Sequence, residues 1–347
     1  MAPRSFSKFL LSLPFKKSGQ RASGSGDAGG RVDPMAYDSQ HSSSAENTFR
    51  LDPTEVRKHF DRIGRFRILV IGRSNAGKTT LLQRVCNTTE LPEIINVEGE
   101  KIDPAIVQGS LERGYHNIDD ELIFQSNPGF IFHDSRGFET GSLNELNLMK
   151  DFVADRAATM KLEKRIHAIW FCISMADYER PILAAEEKFF NECNTGKVPV
   201  IAVLTKADAL KMPALHQLMR DGLTMKEAIP KAGDLEEQML SELKMRIERQ
   251  LSGCKYPPKA YLPLASMNQE DADCNPLLRC TTDALDEVEL QKLVVSTQQI
   301  NIILNIEYAV KRVLMDDKMQ TAFNKRAVEE KIIGWMPFKQ VIKLASV

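Results

Sequence analysis

The stretch Gly72-Arg73-Ser74-Asn75-Ala76-Gly77-Lys78-Thr79 fits the pattern G-x-x-x-x-G-K-[ST] and is the strongest structural signal in the chain. It follows the apolar run Arg67 to Ile71 and precedes a helical pattern near residues 78–88. Glycines allow main-chain conformations in which successive amide groups face one anion, and the start of the helix adds partial positive charge. The stretch therefore predicts a phosphate-binding loop between a buried strand and a helix.

The residues of this loop have predicted roles at a nucleotide. We expect Lys78 to reach the β- and γ-phosphates and the Thr79 hydroxyl to bind Mg²⁺, so both would act on the reacting phosphate. Thr80 is expected to support the α-phosphate side. Binding is also expected from the rest of the loop, which comprises Gly72, Arg73, Ser74, Asn75, Ala76 and Gly77.

A second segment, Asp134-Ser135-Arg136-Gly137, gives D-x-x-G directly after an apolar strand pattern. We expect Asp134 to hold Mg²⁺, usually through water, and the Gly137 amide to sense the γ-phosphate. Arg136 either supplies positive charge near the γ-phosphate or faces solvent. Ser110 is the candidate for completing the coordination of Mg²⁺, and a purely structural loop serine is the alternative.

A third segment, Thr205-Lys206-Ala207-Asp208, fits [NT]-K-x-D after the apolar run Val198 to Leu204. A carboxylate at Asp208 can accept hydrogen bonds from the N1 and N2 groups of guanine, which adenine does not offer. Lys206 is expected to lie across the base or to support the phosphate loop, and the Ala265 amide to face the guanine oxygen. The predicted ligands are therefore GTP or GDP together with Mg²⁺.

Phe138 follows Gly137, where many GTPases have a glutamine that orients the attacking water. A phenyl ring can neither donate nor accept that hydrogen bond. We therefore expect intrinsic hydrolysis to be slow, with acceleration from a partner, a second protomer or a different residue.

Strand and helix patterns alternate along the chain. The sequence predicts a β-hairpin formed by Glu121 to Phe124 and Phe130 to Asp134. It also predicts three further strands, Ile166 to Ile173, Val198 to Leu204 and Ala260 to Ala265. Helical patterns lie near residues 78–88, 142–160, 179–193 and 210–251. This order predicts an α/β three-layer sandwich around a mainly parallel sheet with one antiparallel hairpin strand, the P-loop NTPase architecture.

The predicted organisation has four parts. Residues 1–50 form a disordered tail, 51–64 a leading helix, 65–284 a GTP-binding domain and 285–347 a C-terminal helical segment with a long helix at roughly 285–315. A helical insertion is expected at about 209–256. Its helix is expected to begin near Asp234. One face of this helix has an apolar stripe, which is expected to pack either on the domain or on a partner and which comprises Leu240, Leu243, Ile247 and Leu251.

Composition limits the classes of partner. The 347 residues have a formal net charge of −1, so no bulk field indicates nucleic acid or membrane. The six cysteines lack metal-type spacing and are expected to be free thiols in a reducing compartment.

We expect a cytoplasmic protein. The basic and apolar first 17 residues leave organelle targeting or a short membrane-surface helix as the alternative to a plain tail.

The three segments together resemble the translation-factor-related (TRAFAC) class of P-loop GTPases, and the phosphate loop is most similar to the branch that contains Era, EngB, TrmE and the septins. The resemblance covers about residues 65–270. It implies a GTPase switch fold, Mg²⁺-dependent GTP hydrolysis and, as in several relatives, a homodimer across the nucleotide face. Arg136 departs from the pattern, because many members have proline there.

Three interpretations follow. The first is a slow GTPase whose nucleotide sets the conformation of the loops at 96–120 and 134–150 and thereby its binding to an effector protein. The second is a GTP-stabilised scaffold or septin-like assembly protein with little turnover. The third, an ATP-using P-loop protein, leaves Lys206 and Asp208 unexplained.

Overall fold

The computed structural model describes residues 64–102, 117–135, 143–269 and 272–297. These ranges include the phosphate loop, the strands predicted around it and the predicted insertion. The predicted tail, nearly all of the leading helix and the predicted C-terminal segment beyond residue 297 lie outside the described residues.

Eight strands, β1 to β8, are present within these ranges: Phe66–Gly72, Glu93–Ile95, Lys101–Ile102, Glu121–Ile123, Phe130–Asp134, Ala168–Ser174, Val200–Thr205 and Ala260–Pro263. They form one sheet in the order β3-β2-β4-β5-β1-β6-β7-β8. From β5 to β8 in this order, all neighbouring strands are parallel. All seven residues of β1 are buried, as expected for a strand covered on both faces. The mainly parallel sheet is therefore confirmed.

The predicted hairpin is present, since β4 pairs antiparallel with β5 and Leu122 lies opposite Phe132. Two further strands, β2 and β3, extend this side of the sheet and were not predicted. They are joined by a tight turn in which the Glu100 amide donates to Asn96 Oδ1 at 2.7 Å and Gly99 has φ 83°. Strands of two and three residues are too short to show the alternation from which strands are predicted.

Helices cover both faces of the sheet, which confirms the three layers. Those described, α1 to α7, span Lys78–Val85, Leu143–Ala158, Ala184–Glu192, Lys211–Arg220, Met225–Ser252, Asn275–Ala284 and Val288–Thr297. Leu81, Leu277 and Leu293 place α1, α6 and α7 in one core cluster, and Val153, Phe189 and Ile247 place α2, α3 and α5 in the other. Among the described helices, none combines the length and the apolar character needed to cross a membrane.

The region of the predicted insertion contains two helices, α4 and α5, and α5 begins at Met225 rather than near Asp234 as expected. A cap explains the earlier start, because the Glu227 carboxylate accepts from the Thr224 amide at 2.9 Å and from its hydroxyl at 2.7 Å. Pro230 lies inside the helix, in its second turn. In the predicted stripe Leu243, Ile247 and Leu251 are buried against the sheet, so α5 docks on the domain itself.

The end of the described chain contributes to the core. The helix α6 was not predicted. The indole nitrogen of Trp170 donates a hydrogen bond of 3.0 Å to the Thr281 hydroxyl of this helix. The described part of the expected 285–315 helix is α7, whose Leu290, Leu293 and Val294 are buried in the same cluster as α1. The rest of the expected helix, residues 298–315, lies outside the described residues.

The cysteines are free thiols, as predicted, and five of the six are buried. Burial raises the pKa of the Cys172 and Cys193 thiols to about 12. These side chains behave as small apolar groups of the core.

Candidate nucleotide-binding site

The phosphate loop connects β1 to α1 along a path that few residues can follow. A Cβ atom on Gly72 would lie 2.6 Å from the Cys172 carbonyl oxygen on the neighbouring strand, so only glycine fits there. Asn75 and Gly77 have φ of 57° and 81°, and asparagine and glycine are the residues that tolerate this left-handed region. The loop therefore leaves the sheet abruptly and presents its main chain at the start of α1.

Lys78 lies folded over this loop. Its Nζ donates to the carbonyl oxygens of Gly72 at 3.0 Å and Arg73 at 3.1 Å. The ammonium group is thus held beside the loop amides, where a polyphosphate would need a counter-charge. Thr79 is exposed in the first turn of α1, and Thr80 next to it is half-buried.

Asp134 ends β5 and pairs in register with Val70 of β1. Its Oδ1 atom is buried and has no hydrogen-bond partner among the described residues. Burial raises the pKa of this carboxyl to about 6, and the charge of Lys78 opposes that shift. A buried carboxylate oxygen that lacks a donor fits a cation.

That cation would not be held by side chains alone. In the described parts of the chain, no group of three or more His, Cys, Asp or Glu residues is arranged to hold a metal ion. Mg²⁺ is commonly bound by one or two carboxylates together with substrate phosphates and water. Asp134 and the Thr79 hydroxyl fit this mode and would hold the ion at the phosphates of the nucleotide.

Asp134→Asn is expected to stabilise the nucleotide-free protein by up to about 3 kcal/mol at pH 7.5 while weakening Mg²⁺-dependent nucleotide binding. A carboxyl whose folded-state pKa is raised favours folding when protonated, and this contribution is lost as pH rises from about 4 to about 6. The amide has no charge to bury. Thermal unfolding with and without GDP and Mg²⁺ tests this, and a variant that unfolds at a lower temperature than wild type in both states would contradict it.

The third segment, which is predicted to recognise the base, is attached directly to the phosphate loop. Thr205, buried at the end of β7, donates its hydroxyl to the Ala76 carbonyl oxygen at 2.7 Å, and the Ile173 carbonyl lies further away at 3.3 Å. Lys206 follows with φ 53° and is exposed. The two segments, which are 129 residues apart in the chain, thus meet at the same edge of the sheet.

Asp208 is exposed just beyond this point, and its Oδ1 accepts from the Ser266 amide at 2.7 Å. Main-chain bonds from Ala207 to Leu264 and from Leu264 to Leu204 hold the two loops together at 3.0 and 2.8 Å. Ala265 is therefore beside Asp208. A carboxylate has about four acceptor positions, so the bond to Ser266 leaves capacity for a ligand.

Arg73 is part of the loop only through its main chain. Its guanidinium is turned towards α3, where Nη2 and Nε bond to the Glu186 carboxylate at 2.7 and 3.1 Å. Glu186 was not identified from the sequence because it lies 113 residues away and belongs to no motif. The other predicted site residues, Ser110, Arg136 and Gly137, lie outside the described residues, as does Phe138.

Residues 67–206 match the family model described as 50S ribosome-binding GTPase. No protein of curated function matches the chain.

Solved structures that match include the septin GTPase domain of Chlamydomonas reinhardtii, at 16% identity and TM-score 0.31, covering 61% of this chain and 77% of that one. A variant of Aquifex aeolicus Era bound to GDP and aluminium fluoride matches at 16% identity and TM-score 0.34, covering 64% and 57%. The chain thus spans just over half of that Era chain. Residues 67–206 are thus similar to a GTPase domain of the P-loop type.

Proposed function

We propose that this protein binds GTP and GDP, hydrolyses GTP slowly with Mg²⁺ and acts as a nucleotide-controlled switch. The observation that carries the proposal is the hydrogen bond from Thr205 to Ala76, which joins the phosphate loop to the segment containing Asp208. One guanine nucleotide can be bound at both ends when a phosphate site and a base-selecting carboxylate lie at one edge of a sheet.

Each residue of the site has a proposed role at the nucleotide. The loop amides and Lys78 hold the polyphosphate, while Asp208 and the Ala265 amide orient the base. Thr79 and Asp134, with Ser110 proposed as a further ligand, would hold Mg²⁺, which would neutralise charge on the phosphate oxygens. Gly137 and Arg136 are proposed to face the γ-phosphate. Retention of GDP or GTP by the purified protein in magnesium buffer tests the proposal, with ATP as competitor to test the choice of base.

Hydrolysis by the isolated protein is expected to be slow, at about 10⁻³ s⁻¹ or below, because Phe138 cannot orient a water molecule. Single-turnover phosphate release from bound GTP measures this rate. Protein carrying Lys78→Ala, prepared in parallel, reports any contaminating GTPase. A rate above about 1 s⁻¹ without a partner, absent from that control, would contradict the expectation.

Phe138 also favours a second candidate, a GTP-stabilised scaffold with little turnover. A homodimer across the nucleotide face is the arrangement in which a second protomer could supply the missing water-orienting group. Phosphate release measured alongside sedimentation, with GDP and with a non-hydrolysable GTP analogue, separates the candidates. Assembly that depends on the nucleotide but not on its hydrolysis favours the scaffold.

We place the protein in the cytoplasm, with organelle targeting through residues 1–17 as the alternative. A fluorescent fusion with and without these residues tests this. The effector is proposed to be a protein that binds the GTP-loaded form and not the GDP form.

A further inference from the structure

We propose that Glu186 is a positioning residue that, through Arg73, holds the phosphate loop in the conformation that receives the β-phosphate. The inference rests on the proposed nucleotide binding. It assigns a role in that binding to α3, a helix that contains none of the sequence motifs.

The contact between the two side chains is a two-bond fork. Arg73 Nη2 lies 2.7 Å from Glu186 Oε2, and Arg73 Nε lies 3.1 Å from Oε1. The arginine side chain is 13% exposed and the glutamate is fully buried. Burying a carboxylate is costly unless its charge is paired and its oxygens are hydrogen-bonded, so this pair is far more constrained than a surface ion pair.

The guanidinium of Arg73 makes further hydrogen bonds beyond this fork. Nη1 bonds to the Asp177 carboxylate at 3.2 Å and Nη2 to the Pro181 carbonyl oxygen at 2.6 Å. With these contacts in place the guanidinium faces α3 and the segment before it, away from the loop interior. Its contribution to binding must therefore be made through the main chain.

That main chain occupies a central position in the loop. The Arg73 carbonyl oxygen accepts from Lys78 Nζ at 3.1 Å and from the Ala76 amide at 3.2 Å. A shift of Arg73 would therefore move both the cation and the turn that presents the amides. Thr205 fastens the loop at Ala76, so Glu186 supplies the second anchor, on the side nearest β1.

Glu186 itself is attached to a rigid support. Its Oε2 also accepts from the Leu183 amide at 2.8 Å, which fixes it in the first turn of α3. Phe189 and Phe190 of the same helix pack against Phe171 of β6, with ring centroids 5.3 and 4.7 Å away. A loop held in place before the ligand arrives loses less entropy on binding, which appears as slower release of the nucleotide.

Glu186→Gln tests the role because it keeps the size of the side chain. An oxygen at the position of Oε2 can still accept from the Leu183 amide and from Arg73 Nη2, but the amide nitrogen then faces the N–H donor at Arg73 Nε. We expect fluorescent GDP to be released about tenfold faster in a chase with excess GDP. The chase rate reports only nucleotide already bound, so partial unfolding, which lowers the binding fraction, does not change it.

Three companion variants complete the experiment. Arg73→Ala removes the other half of the fork and is expected to accelerate release to a similar extent, which keeps the test available if Glu186→Gln fails to fold. The double variant is expected to release GDP no faster than the faster single variant, since both act through one contact. Glu192→Gln, which removes a carboxylate of the same helix that pairs with Lys150 at 2.8 Å, is the matched control and is expected to behave as wild type.

Release from Glu186→Gln or Arg73→Ala within twofold of the wild-type rate would overturn the inference. So would equal acceleration by Glu192→Gln, because this would indicate a general loosening of α3. Wild-type protein that retains no GDP would instead overturn the proposed function, and the inference with it.

Discussion

Asp208→Asn is expected to lower the affinity for GDP by a factor of about a hundred or more and to transfer the preference to xanthosine diphosphate. The Ser266 amide donates to Asp208 Oδ1 at 2.7 Å, and in the variant this donor must be met by the amide oxygen. The NH₂ group of the asparagine then faces the base. Guanine presents donors at N1 and N2, whereas xanthine has an oxygen at C2 that can accept.

Competition of GDP, XDP and ADP against one fluorescent nucleotide measures the change for wild type and variant. Asp221→Asn, at an exposed aspartate just after α4, is the matched control and is expected to keep the wild-type order of affinities. Unchanged GDP affinity in Asp208→Asn would show that this carboxylate does not read the base. Loss of GDP binding without any gain for XDP would point to damage of the loop at 264–266 instead.

Acid is expected to destabilise the protein steeply below about pH 6 because two buried histidines are neutral in the fold. His167 Nδ1 accepts from the Arg67 amide at 3.0 Å, and its Nε2 lies 3.0 Å from the Leu162 carbonyl oxygen. His133 Nδ1 lies 3.0 Å from the Ile118 carbonyl oxygen, and its Nε2 lies 3.3 Å from Nη1 of Arg67. In each ring one nitrogen faces an acceptor and the other faces a donor, which fits only the uncharged form.

Burial, and after it the charge of Arg67, lowers the pKa of His133 from 6.5 to about 3. Burial is also the main cause that lowers the pKa of His167 to about 4. At these two rings the unfolded chain therefore takes up protons below pH 6.5 while the folded chain does not, which lowers stability by roughly 2.7 kcal/mol per pH unit while both rings differ between the states. Asp134, whose pKa in the folded chain is about 6, opposes about half of this loss between pH 6 and pH 4. Because domains are stable by only about 5–15 kcal/mol, the net loss is expected to bring the protein close to unfolding near pH 4.

Thermal unfolding between pH 4 and 8 measures this dependence. Replacing both His133 and His167 by glutamine, which offers a donor and an acceptor without titrating, is expected to flatten the profile. His216, which is exposed on α4, provides the control, and His216→Gln is expected to keep the wild-type slope. A profile that stays steep in the double variant would assign the acid sensitivity to other groups.

Local patterns were enough to predict the phosphate loop, β1, the β4–β5 hairpin and the alternation of strands and helices. Each of these depends on residues close together in the chain, such as the glycines around Lys78 or the apolar run of β1. The short strands β2 and β3, the helix α6 and the start of α5 at Met225 were missed or misplaced. They depend on turns, caps and neighbouring strands that short windows do not display.

The chain order of the residues was therefore enough to predict the ligand class, because the residues expected to recognise phosphate and guanine lie in three short contiguous segments. The three-dimensional arrangement settled how those segments support one another. Thr205 contacts Ala76, which is 129 residues away in the chain, and Glu186 contacts Arg73, which is 113 residues away. The packing of α5 on the sheet likewise depends on burial of a surface that distant strands form together. Such contacts arise from the packing of the whole sheet, and side chains that meet only in the folded chain leave no periodic signal along it.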